Sequence, residues 1–135
     1  MNKSRHLTFR LSEEEWHRGK TAMRSFIERK AAARQMTHYS ELESVVRTEE
    51  GVAVPAWSPE MNWMLGEIAD DCHDEGLSLL TAIVTHRSGD LEPGSGFYEK
   101  ARSLGYRFDT SEAYLFWAGQ TQECFKHWGT NQTGD

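Results

Sequence analysis

Ser58-Pro59-Glu60-Met61-Asn62-Trp63-Met64-Leu65-Gly66-Glu67-Ile68-Ala69-Asp70-Asp71-Cys72 and, shortly after it, Leu79-Leu80-Thr81-Ala82-Ile83-Val84-Thr85 decide the fold class of this chain. The first stretch sets a capping serine, a proline at the first helical position and an acid in the first turn before Met61, Leu65, Ile68 and Cys72 at helical spacing. It predicts a helix over 59–75 that ends near Gly76. The second stretch is β-rich and almost continuously apolar, as a buried strand is. A helix and a buried strand joined by a short turn make the chain α+β rather than all-helical.

Outward from this centre, most segments read as helix. Ser12-Glu13-Glu14-Glu15 is a capping-box pattern, and the helix it starts runs to about Gln35 with Trp16, Met23, Phe26, Ile27 and Ala31 to Ala33 as its apolar stripe. Before it, Leu7, Phe9 and Leu11 alternate with Thr8 and Arg10, giving a short strand over 6–11. Thr37 is the next capping candidate, for a helix over 38–47 carrying Tyr39, Leu42, Val45 and Val46, followed by a loop through Gly51 and Pro55. Turns at 88–90 and 93–96 lead to a helix over about 97–104, which Gly105 stops. Asp109 or Thr110 caps a last helix with Ala113, Trp117, Thr121, Cys124 and Trp128 on one face. Residues 1–128 thus form one helix-rich α+β domain, and 129–135, without a hydrophobic side chain, form a flexible tail.

Charge is distributed unevenly. Residues 1–36 hold nine Lys or Arg against four acids, while the rest of the chain holds six against seventeen. The basic segment supplies phosphate-contact candidates Arg5, Arg10, Arg18, Lys20, Arg24, Arg29 and Arg34, or a solvated helix face. Gly94, Ser95 and Gly96 enter a helix and offer amides to an anion, although no Gly-x-Gly-x-x-Gly or Walker pattern surrounds them and Asp90 and Glu92 oppose phosphate. Phe97 and Tyr98 pin that turn to the core. Cys72 and Cys124 have no CxxC spacing and read as reduced, buried thiols. Zinc on Cys72, His73, Cys124 and His127 is disfavoured, because neighbours on a helix point about 100° apart. Asp70 with Asp71 and Glu13 to Glu15 are exposed helix acids, and His86-Arg87 is either a functional edge or plain surface.

The order of short helix, loop, helix, strand and glycine-rich turn over 36–98 is that of a winged helix-turn-helix. Thr37-His38-Tyr39-Ser40-Glu41-Leu42, Leu65-Gly66 and Gly94-Ser95-Gly96-Phe97 resemble the DNA-binding part of alkyltransferase-like proteins. That resemblance implies a winged helix with its second helix on DNA. Three departures qualify it. Thr85-His86-Arg87 stands where the family's acceptor cysteine motif would be, and a threonine hydroxyl cannot replace a thiolate, so alkyl transfer is rejected. The base-flipping arginine is replaced by Asn62 or Trp63. The helix over 59–75 carries Glu60, Glu67, Asp70 and Asp71 with no Lys or Arg, which repels phosphate. The strand, the Pro-Gly-x-Gly-Phe turn and the Phe-Trp last helix also resemble those of small prokaryotic proteins, from which no activity follows. Residues 5–16 are similar to the opening of ribbon-helix-helix repressors, with a helix about twice as long.

The expected function is non-catalytic binding, with nucleic acid as partner through the basic N-terminal helix. Two alternatives stay open: an acidic protein–protein module or inhibitor, such as mobile elements encode, acting on a nucleic-acid-binding enzyme, and an enzyme on a nucleotide or phosphorylated ligand through the 94–96 loop. No cofactor, metal or catalytic residue is expected, and the oligomeric state is open. No apolar run reaches the roughly 18 residues of a membrane span, and Met1 to His6 lead into no apolar signal core, so a soluble, cytoplasmic protein is expected.

Overall fold

The computed structural model describes residues 10–85 and 93–129. Helix α1 covers Glu13–Ala32. Ser12 Oγ accepts the Glu15 amide at 3.0 Å and Glu15 Oε1 accepts the Ser12 amide at 2.9 Å, which closes the expected capping box. The helix stops three residues before Gln35. Arg34 takes a left-handed φ of 59°, and the amides of Arg34 and Gln35 return to the carbonyls of Ala31 and Lys30, a Schellman ending. Trp16, Gly19, Ala22, Met23, Ile27 and Ala31 are buried on its inner face, whereas Phe26 and Ala32 are half-buried and Ala33 is exposed. Residues 6–9 of the expected first strand lie outside the described residues, and Arg10 and Leu11 are not in a strand.

Strand β1, Thr37–His38, precedes α2, Tyr39–Glu50. Thr37 is therefore not the helix cap. Its backbone pairs with Val84, its hydroxyl donates to Glu41 Oε1 at 2.6 Å, and His38 takes the N-cap position without a side-chain bond. Helix α2 runs three residues beyond the expected end and closes at Gly51, whose φ of 67° suits glycine. Val52, Val54 and Ala56 alternate into the core through the following loop, where Glu43 Oε1 accepts the Ala56 amide. Helix α3, Pro59–Asp74, begins with Ser58 Oγ accepting the Met61 amide at 3.1 Å. The proline-after-serine start and the stop near Gly76 follow the sequence pattern.

The expected strand over 79–85 is corrected in its backbone but not in its burial. Every residue from Ser78 to Thr85 is buried, yet Leu80–Ile83 is a 3-10 turn and only β2, Val84–Thr85, is strand, parallel to β1. The reason lies 40 residues away, on the last helix. After α4, Ser95–Ser103, and a 3-10 turn at Thr110–Glu112, helix α5 covers Ala113–Trp128. Four of its side chains meet the 78–82 segment: Gln120 Oε1 accepts the Leu79 amide at 2.9 Å, Cys124 Sγ donates to the Leu79 carbonyl, Trp117 Nε1 donates to the Ala82 carbonyl at 2.6 Å, and His127 Nδ1 bonds Ser78 Oγ at 2.8 Å. Groups that a neighbouring strand would have satisfied are satisfied by a helix instead, so the segment is free to curl.

Helix α4 starts two residues before Phe97, and Gly105 ends it with a φ of 102°. Asp109 leads only the 3-10 turn, and α5 starts after Glu112 with no side-chain cap. Of the face expected for α5, Trp117 and Cys124 are buried, while Ala113, Thr121 and Trp128 are half-buried. Helix α1 touches α2, α3, α5 and the 80–83 turn, so its apolar stripe is the centre of one core with Leu42, Val46, Met61, Met64, Ile68, Leu80 and Ile83. Among the described residues no helix is long and apolar enough to cross a membrane.

Candidate binding groove

Because α1 lies against three other helices, its rim meets their rims, and the basic residues of α1 stand beside the acids of α2 and α3. Arg18 faces Glu14 and Glu50 at 3.6 and 3.4 Å, and its Nη2 donates to the Glu50 carbonyl. Lys20 reaches Asp71 at 2.8 Å and Glu67 at 3.4 Å. Arg24 bonds Glu28 at 2.8 Å and grips both oxygens of Glu75, a hydrogen-bonded partnership that raises its already high pKa against the opposing effect of burial. Arg29 meets Glu49, and Lys30 meets Glu41. All five Lys and Arg side chains of α1 therefore have a carboxylate within 4 Å. Arg10 and Arg34 are exposed and make no ion pair among the described residues, the Arg34 guanidinium lying beside Gly129. Arg5 lies outside the described residues. The bases do not gather on one open face; they line a seam.

A groove of about 820 Å³ opens between α3 and the start of α4. Leu65, Ala69, Thr81, Val84 and Phe97 give it apolar lining, while Glu67, Asp70, Asp71 and Glu99 line it as acids and Lys20 and Lys100 as bases. Trp63, 47% exposed, stands on its α3 side and donates Nε1 to Glu67 Oε2 at 3.1 Å. The other Glu67 oxygen accepts Trp16 Nε1 at 3.0 Å, which fixes α3 to the first turn of α1. From α4, Lys100 crosses to Asp70 at 2.9 Å. Its stem passes over Gly66, where a Cβ would stand 3.2 Å from Lys100 Cε. An open, half-apolar cleft with an excess of carboxylates is chemically suited to a cationic segment.

The glycine turn meets this groove at its end. Gly94 is the N-cap of α4, its amide donating to the Tyr39 hydroxyl at 3.3 Å, and Gly96 lines the groove next to Asn62. Tyr39 is buried, which pushes its pKa up, and its ring rests on Trp57. Of the three, Gly96 opens onto the same cleft as four carboxylates. Phe97 is buried and pins the turn as its position implied. Asp90, Glu92, His86 and Arg87 lie outside the described residues.

Neither cysteine is a nucleophile in waiting. Both are free and buried, and burial pushes the Cys72 thiol up and the Cys124 thiol up to about 12. Cys124 Sγ and His127 Nδ1 are spent on the 78–79 segment, and among the described residues no three His, Cys, Asp or Glu come together as metal ligands. The sequence reading missed Ser78 and Lys100. Ser78 carries no local signal, whereas Lys100 and Gly66 lie 34 residues apart and meet only in the fold. No family model, curated protein or solved structure matches this chain.

Proposed function

We propose that the protein is a non-catalytic binding domain that takes a basic protein segment through the α3/α4 groove. The observation that carries this reading is that every Lys and Arg of α1 already faces a carboxylate, so five of the nine bases of residues 1–36 neutralise acids within the protein. A phosphate approaching α1 would have to displace those acids. In a winged-helix scaffold, which the order of segments over 36–98 resembles in sequence, α3 is the helix that meets the partner. Its acids make that partner cationic.

A nucleic-acid partner is the second reading. It is supported by the basic excess of residues 1–36 and by Arg10 and Arg34, which stand exposed outside the pairs. A phosphorylated ligand at Gly94 to Gly96 has less support, since Asp70 and Glu99 share the cleft. Fluorescence anisotropy at about 50 mM salt, a condition that favours electrostatic contacts, separates the readings. A labelled oligolysine peptide is expected to bind, and Asp70→Lys with Glu99→Lys to abolish that binding. Affinity for labelled duplex DNA, single-stranded DNA or RNA that is lost on Arg10→Glu with Arg34→Glu, in a protein that ignores oligolysine, would replace the groove reading with the nucleic-acid one.

A further inference from the structure

The two lysines in the groove are held unequally. Lys20 sits between two carboxylates, Asp71 at 2.8 Å and Glu67 at 3.4 Å, with its side chain 24% exposed. Lys100 has one, Asp70 at 2.9 Å, and is itself somewhat more exposed than Lys20, at 31%. Lys100 also reaches Asp70 by an unusual route, across the backbone of α3 at the one position that has no side chain. With Gly66 beneath the stem and Asp70 at the tip, the seat fits an extended alkylammonium group. Trp63 is one helical turn from Gly66 and lines the same groove, so an aromatic side chain stands near the seat.

We infer that Lys100 occupies the seat that a partner's lysine takes, so that binding exchanges one ammonium for another on Asp70. The inference rests on the groove reading above and adds the identity of the contact and its internal competitor. Exchange conserves the ion pair: the incoming ammonium gains Asp70, and Lys100, leaving from the exposed flank of α4, regains water. The displaced lysine therefore lowers the protein's affinity for its partner while protecting Asp70 when none is bound. A partner must bring contacts beyond the one lysine, which the Trp63 and Glu99 flanks of the groove provide.

The test measures binding of a fluorescein-labelled oligolysine peptide to the full chain and three variants. Lys100→Ala removes the competitor and is expected to tighten Kd about two- to five-fold, the range covered by freeing one partly exposed ion pair. Asp70→Asn is expected to weaken binding at least as much. Adding Gly66→Ala to Lys100→Ala narrows the seat and should cancel the gain, while thermal melts report that this helical glycine-to-alanine change keeps the fold. A purely structural role for Lys100 predicts weaker binding, not tighter. Oligolysine binding that Lys100→Ala leaves unchanged or weakens overturns the exchange but keeps the groove; no oligolysine binding by any form overturns both.

Discussion

Helix α1 reaches its neighbours' rims with five charged side chains, whereas α5 reaches the 78–82 segment with an indole, an amide, a thiol and an imidazole. Both helices bury an apolar face in the same core, so the contrast isolates what the polar contacts add. The partners of α1 are side chains at a partly wet surface, where an ion pair gives up hydration and side-chain freedom for about as much as it gains. Three of the four partners of α5 are backbone groups inside the protein, the fourth being the Ser78 hydroxyl, and a buried amide or carbonyl left alone costs the whole of its desolvation. Charge on α1 therefore sets which helix rims adjoin; uncharged bonds on α5 set the conformation of the chain beneath it.

The contrast is broken most severely at Trp117. Trp117→Ala empties a site that is 6% exposed and orphans the Ala82 carbonyl, so a loss of about 3–5 kcal/mol is expected from chemical denaturation. An unchanged denaturation midpoint would show that α5 is not part of the core.

Alkaline pH probes the same helix without mutation. A thiol whose folded pKa is raised contributes stability below its unfolded value of 9.0 that is lost as pH climbs toward about 12, because only the unfolded chain can ionise it in that window. Unfolding free energy should fall by about 1.4 kcal/mol per pH unit through Cys124 alone once above 9.0, with Cys72 and Tyr39 adding in the same direction. Urea titrations across this range in wild type and Cys124→Ala measure it. The variant is expected to show the shallower slope, and equal slopes would remove Cys124 as the source.

Gln120→Ala sharpens the comparison, since it leaves the Leu79 amide without its acceptor while removing little apolar surface. A cost of about 1–3 kcal/mol is expected, together with faster hydrogen exchange at Leu79. The smallest effect belongs to α1. Arg29→Ala deletes a pair whose side chains are 56% and 44% exposed, and should change stability by no more than about 0.5 kcal/mol. A cost near that of Gln120→Ala would mean that the seam on α1 stabilises as strongly as the buried bonds of α5.

What could be read along the chain is what neighbours in sequence decide. The capping box at Ser12, the Ser58-Pro59 start of α3 and the stops at Gly76 and Gly105 each depend on a few adjacent residues, and each stands in the structure. So does the acidity of α3, which made it a poor phosphate reader and makes it one wall of the groove. Two of the misread segments depend on distant residues. Thr37 had the chemistry of a cap but was taken by Val84, and Leu79 to Ile83 had the composition of a strand but curl under α5.

The candidate site divides in the same way. Trp63, Asp70 and Gly96 were visible as members of their own segments, while Lys20 had been read as a phosphate contact and Lys100 had drawn no notice. Sequence alone determined the sign and number of the charges, the helices with the caps at Ser12 and Ser58, and which residues are apolar enough to be inside. Only the tertiary structure decided which charges face each other and which backbone groups find a partner. Ion pairing and backbone satisfaction act over a few ångströms of space, and between residues 34 or 45 positions apart that distance is set by the packing of helices, not by the chain.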